Sequence, residues 1–103
     1  MADQTNQWSV KVDKQGVVYL TGEIDYTVTP KLRTQLINYI RKTQGPLKLN
    51  IGGVNYLDSS GLAVFIEARR HLMEQERAIQ LIDVSDEVKK IFELTQVGQL
   101  FGL

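Results

Sequence analysis

The sequence predicts an α/β fold: a mixed β-sheet, made of an N-terminal hairpin followed by parallel strands, with helices packed mainly on one face. Three observations carry this. Trp8, Val10 and Val12 alternate with Ser9, Lys11 and Asp13, and residues 17–21 form a second, more apolar run beyond a four-residue turn. Beyond the hairpin, segments with the period of a helix alternate with segments with the period of a strand, and strands joined through helices run parallel with right-handed crossovers. At 103 residues and 43% hydrophobic content, the chain suits one compact domain with one core.

The elements follow in order. In the turn Asp13-Lys14-Gln15-Gly16 the glycine adopts a positive φ without steric cost. The strand over 17–21 is expected to end at Gly22. Thr29-Pro30 fits a helix start, with Thr29 as cap and Pro30 in the first helical position. Leu32, Leu36, Tyr39 and Ile40 then line one helical face, and Gly45-Pro46 stops the helix. Residues 47–51 alternate as a third strand. A second helix is expected over 60–75, with Leu62, Phe65, Leu72 and Met73 on its inner face. Residues 78–84 are nearly continuously apolar, as in a strand covered on both faces. Ser85 caps a third helix whose inner face is Val88, Ile91 and Phe92. The last residues, 97–103, read as a short strand or a docked tail.

Twelve basic and twelve acidic residues cancel, so nothing marks the chain as a nucleic-acid or anionic-membrane binder. No apolar stretch approaches the roughly 20 residues of a membrane helix, and the polar N-terminus lacks a signal peptide's apolar region. Cysteine is absent, which removes disulfides, thiolate metal sites and cysteine nucleophiles together. The expected location is the cytoplasm.

Chemistry concentrates in Leu57-Asp58-Ser59-Ser60-Gly61-Leu62, where a strand turns into a helix. Asp and Ser accept hydrogen bonds from the unpaired amides of a first helical turn, and the same turn favours negative charge. Ser59 is therefore either a plain cap or a position that tolerates a phosphate. A serine hydrolase is a poor reading. The sole histidine, His71, follows Ser59 by about twelve residues on the same helix, far away at about 1.5 Å per residue, and there is no G-x-S-x-G elbow. Glu23 and Asp25 form a carboxylate pair in the expected loop after the second strand; if the sheet is parallel there, that loop leaves the same sheet edge as Asp58. Gly52-Gly53 lacks the lysine of a phosphate-binding loop, and Arg69-Arg70 is an exposed helix face.

Taken together, Gly22-Glu23-Ile24-Asp25, a helix, an alternating strand and Tyr56-Leu57-Asp58-Ser59-Ser60-Gly61-Leu62 resemble the STAS domain of bacterial anti-sigma factor antagonists. The segment Ser85-Asp86-Glu87-Val88-Lys89-Lys90-Ile91-Phe92 resembles the third helix of that family. The resemblance implies a partner switch rather than an enzyme. Unphosphorylated protein binds a serine kinase that is also an anti-sigma factor, phosphorylation at Ser59 releases it, and a metal-dependent serine phosphatase resets it. Asp58, Ser60, Gly61, Glu23 and Tyr56 then flank the phosphosite or touch the partner, and Asp25 matches a family aspartate that supports phosphorylation. The resemblance implies no cofactor of the chain's own, since ATP and magnesium belong to the kinase. It implies one STAS domain over 1–103 without the family's usual C-terminal helix, which leaves an apolar patch open to a partner or to a homodimer. The alternative is a structural STAS subunit of a stress-sensing or lipid-transport complex whose serine is not switched.

Overall fold

Alternating side chains build the hairpin of β1 (Trp8–Val12) and β2 (Val17–Ile24), paired antiparallel from Trp8 opposite Gly22 to Val12 opposite Val18. The structure is a computed structural model that describes residues 7–103; the polar segment 1–6 lies outside the described residues. Asp13 closes the hairpin turn. Its Oδ1 accepts the backbone N–H groups of Gln15 and Val17, each at 2.9 Å. The Val17 amide foremost holds the Asp13 carboxyl below its usual pKa.

The next strand, β3 (Leu47–Leu57), lies parallel to β2, and β4 (Ile79–Ile82) lies parallel to β3. The sheet is therefore four-stranded and mixed, in the order β1-β2-β3-β4, as the sequence predicts. Helices α1 (Thr29–Lys42) and α2 (Ser59–Met73) make the two crossovers around β3, and α3 (Asp86–Thr95) follows β4 and packs on β3. Leu20, Leu49, Ile51, Leu32, Leu36, Phe65 and Leu72 meet in one core, while the intervening Tyr19, Lys48 and Gln80 stay exposed. That alternation is the signature of a sheet covered on one face.

Several boundaries depart from the sequence reading. β2 does not end at Gly22 but passes through it, with φ +95° there and a register shift beside Glu23. Glycine is required because a Cβ would overlap the carbonyl of Gln7, the residue just before the neighbouring strand. Thr29 is not the cap of α1: Val28 occupies that position without a side-chain bond, Thr29 is buried in the first turn, and Pro30 follows. The entry is set instead by the Asp25 carbonyl, which accepts the N–H groups of Val28 and Thr29.

β3 continues six residues past the expected end at Ile51. Its glycines are sites of close approach: a Cβ on Gly52 would lie 2.7 Å from the Asp83 carbonyl oxygen, and one on Gly53 would lie 2.8 Å from Thr21 Cγ2. α2 starts at Ser59, one residue early, and ends at Met73, whose side chain is exposed and not part of the inner face. β4 is shorter than the run 78–84 and buries only Ile79 fully, because it is an edge strand and is covered on one side. Ser85 caps α3 as expected, accepting the Val88 N–H and donating to the Val54 carbonyl at 2.7 Å. Val88 and Phe92 are buried, and Ile91 is half-buried. The tail is a docked 3-10 turn (Gly98–Phe101), with the Phe101 ring centroid 5.5 Å from that of Phe92.

Candidate functional site

Because β2 and β3 are parallel and Ile24 lies opposite Leu57, the segments that follow them emerge at one sheet edge. The Asp58 N–H donates to the Ile24 carbonyl at 3.3 Å, so the pairing extends into the turn. This brings the loop 25–28 against the start of α2.

Asp58 organises the junction. Its Oδ1 accepts the N–H groups of Ser60 and Gly61 at 3.0 and 3.1 Å, which caps α2, and also the Ser60 hydroxyl at 2.5 Å. Its Oδ2 accepts the Tyr26 N–H at 3.1 Å, from the other loop. Both oxygens of one carboxylate are thereby committed, one to the helix and one to the loop. Gly61 permits the tight approach, since a Cβ there would overlap Leu57 and press on Ile24 Cγ2.

The two serines are not equivalent. Ser59, the first residue of α2, is exposed, while Ser60 is half-buried and directed between the helices. Thr29, the only buried polar side chain among the described residues, donates toward Ser60 Oγ at 3.4 Å and lies 3.5 Å from the Tyr26 carbonyl. Asp25 turns inward on its own loop, where Oδ1 accepts both the N–H and the hydroxyl of Thr27. Glu23 lies in β2 opposite Tyr56, not in the loop, and both side chains are exposed. The residues singled out from the sequence thus gather at one edge: Ser59, Ser60, Gly61 and Asp58 at the turn, with Glu23, Asp25 and Tyr56 around it.

Sequence reasoning missed Tyr26 and the partner of Thr29. Tyr26 is 73% exposed, the most open aromatic of this edge. Its neighbour in the sequence, Asp25, was the visible signal. Farther along, Arg33 of α1 and Glu67 of α2 form a two-pronged ion pair, with Arg33 Nε 2.7 Å from Glu67 Oε1. The Arg33 hydrogen bond foremost lowers the Glu67 pKa. His71 Nε2 lies 3.7 Å from the same carboxylate, so the lone imidazole is engaged about three turns away from Ser59. Among the described residues no three histidine or acidic side chains gather as a metal site, and no helix is long and apolar enough to cross a membrane.

A strand-to-helix junction of this kind, on a mixed four-stranded sheet, matches a known domain. The family model of the STAS domain covers residues 8–103. The chain belongs to the STAS domain family. The STAS domain is 31% identical over 86 residues to the anti-sigma-B factor antagonist of Listeria monocytogenes, which covers 84% of this chain and 75% of that protein. In fold it is similar to an anti-sigma factor antagonist from Mycobacterium paratuberculosis, with a TM-score of 0.78 at 20% identity over 94% of this chain and 83% of that one. It is also similar to SpoIIAA, an anti-sigma factor antagonist whose structure is known in an unphosphorylated form and, from Bacillus, in a phosphorylated form. The TM-scores are 0.74 and 0.66, at 19% and 17% identity, over 92% of this chain and 85% and 88% of those chains. Within this STAS domain, the Asp58 turn is where an exposed hydroxyl, a cap and two exposed tyrosines converge.

Proposed function

We propose that this STAS domain is an anti-sigma factor antagonist whose binding surface is switched by phosphorylation of Ser59. The observation that carries the reading is the position of Ser59: exposed, on the first residue of a capped helix, at an edge rimmed by exposed Tyr26 and Tyr56. Tyrosine is enriched where binding energy concentrates in interfaces. The Listeria relative is named for antagonism of an anti-sigma factor, and a structural relative exists in a phosphorylated form.

The proposed partner is a serine kinase that is itself the anti-sigma factor, and it supplies ATP and magnesium. Ser59 Oγ bonds to the γ-phosphorus, the bond from that phosphorus to the β-phosphate bridging oxygen breaks, ADP leaves, and the hydroxyl proton passes to a base of the kinase. The product adds about −1.5 to −2 charges beside the Asp58 carboxylate. Helix amides at the start of α2 tolerate that charge, so the fold survives. The interface does not, because burying an unmatched phosphate against a partner costs several kcal/mol. A metal-dependent serine phosphatase restores the binding form. With Glu23, Asp25, Asp58, Gly61 and Tyr56 around it, the edge acts as a binding surface and its serine as a substrate. The circuit belongs in the cytoplasm.

Calorimetric titration of Ser59→Ala and Ser59→Asp against the anti-sigma factor encoded in the same genome tests this. Ser59→Ala should bind as the unmodified protein does. Ser59→Asp should bind at least about tenfold more weakly with an unchanged circular dichroism spectrum, a difference of about 1.4 kcal/mol. Equal binding by the two variants contradicts the switch.

A further inference from the structure

Two adjacent hydroxyls, Ser59 and Ser60, offer themselves to any kinase that reaches this edge, yet the fold treats them differently. We infer that Ser60 is a positioning residue and not a second acceptor: its bond to Asp58, in the cleft beside Thr29, leaves Ser59 as the sole exposed hydroxyl of the pair. This rests on the phosphorylation reading above and assigns the selectivity of that same site.

Four residues take part in this cluster of polar contacts: Asp58, Ser60, Thr29 and Tyr26. Ser60 donates its proton to Asp58 Oδ1 at 2.5 Å. Its oxygen faces the buried Thr29 hydroxyl at 3.4 Å, whose single proton is offered either to Ser60 or to the Tyr26 carbonyl at 3.5 Å. The Tyr26 N–H donates to Asp58 Oδ2 at 3.1 Å, which ties the loop 25–28 to the start of α2. A serine bound to a carboxylate is chemically the more nucleophilic of the two. Here, however, the bond that activates Ser60 also holds it half-buried in the cleft between α1 and α2, alongside Thr29, Pro30, Ala63 and Val64. A nucleotide γ-phosphate needs an open in-line approach, and only Ser59 has one.

Asp58 therefore has a role separable from capping. Replacing it with alanine frees the Ser60 hydroxyl and the Tyr26 loop together. Asparagine retains an oxygen that accepts from Ser60 and from the helix amides. Thr29→Val removes the hydroxyl that faces Ser60 while leaving Asp58 in place.

The test uses the full chain, the serine kinase encoded in the same genome and Mg-ATP, with site-resolved fragmentation mass spectrometry of the peptide holding both serines. Amide NMR spectra establish that each variant is folded. Wild type should carry phosphate on Ser59 alone. In Asp58→Ala the share on Ser60 should rise by more than about tenfold, the equivalent of losing one hydrogen bond to a charged group. Asp58→Asn should restore the wild-type ratio, and Thr29→Val should shift it toward Ser60 by a smaller factor. The site ratio is a readout that a loss of stability alone does not move. Phosphate on Ser60 in wild type at a level comparable to Ser59 overturns the inference, as does an unchanged ratio in folded Asp58→Ala and Thr29→Val. If neither serine accepts phosphate in any variant, the phosphorylation reading itself fails and takes the inference with it.

Discussion

Asp58 Oδ2 accepts the backbone N–H of Tyr26 at 3.1 Å, across thirty-two positions of sequence. One carboxylate thus both caps α2 and fastens the loop that precedes α1. Sequence places Asp58 before a helix; only the parallel pairing of β2 and β3 brings Tyr26 to it.

Asp58→Ala is expected to lower stability by about 1–2 kcal/mol through the lost cap and to speed exchange of the Tyr26 amide. Urea denaturation and hydrogen exchange measure the two effects. Asp58→Asn should keep most of the cap, since its carbonyl oxygen still accepts, but should speed Tyr26 amide exchange, because its NH2 group cannot accept that N–H.

Phe65 is fully buried in α2 over the sheet, whereas Tyr56 is 49% exposed at the site edge. Phe65→Ala is expected to cost about 3–5 kcal/mol through lost transfer energy and a residual cavity. Tyr56→Ala should stay within about 0.5 kcal/mol of wild type while weakening partner binding. Parallel denaturation and binding titrations separate core from surface.

Gly52→Ala is expected to destabilise by about 1–3 kcal/mol, as overpacking does. Its new methyl group meets the Asp83 backbone carbonyl at 2.7 Å, and Asp83 already holds a left-handed φ of +54°. A thermal scan of the variant measures this, and the expected sign is opposite to that of an ordinary glycine-to-alanine change in a relaxed strand.

Glu67 links pH to stability. Its folded pKa lies below the ordinary 4.5, chiefly through the Arg33 hydrogen bond. Its contribution is therefore present above the ordinary value and is lost as pH falls from there through the lower folded value. Glu67→Gln should remove part of the loss of thermal stability below about pH 4.5 and leave the pH dependence of the neutral range unchanged. The Asp13 carboxyl, held down by the Val17 amide, contributes in the same direction, so the slope should be reduced but not abolished.

Much of the fold is legible because local and global patterns agree. The hairpin, the three helices and the parallel crossovers follow from the alternation at Trp8, Val10 and Val12, from the helical spacing of Leu32, Leu36 and Ile40, and from Ser85 as a cap. What resisted reading was long-range. Gly22 and Gly52 look like breaks, but they are strand residues whose lack of a Cβ is demanded by Gln7 and Asp83, far away in sequence. Thr29 looks like a cap, but it is recruited to the interior by Ser60, thirty-one positions on. At the site, the motif around Ser59 announces itself. The difference between Ser59 and Ser60 does not, because it depends on a cleft formed by a separate helix. The Arg33–Glu67 pair is invisible for the same reason: neither residue has its partner nearby in the chain.

The most direct test of the central claim is the phosphorylation state of the protein in its own cells. Purification under phosphatase inhibition, intact mass and peptide mapping should reveal one added phosphoryl group, on Ser59, in a fraction that changes with growth condition. Unmodified protein under every condition that alters the output of the sigma factor would contradict a phosphorylation switch and assign this STAS domain to constitutive binding.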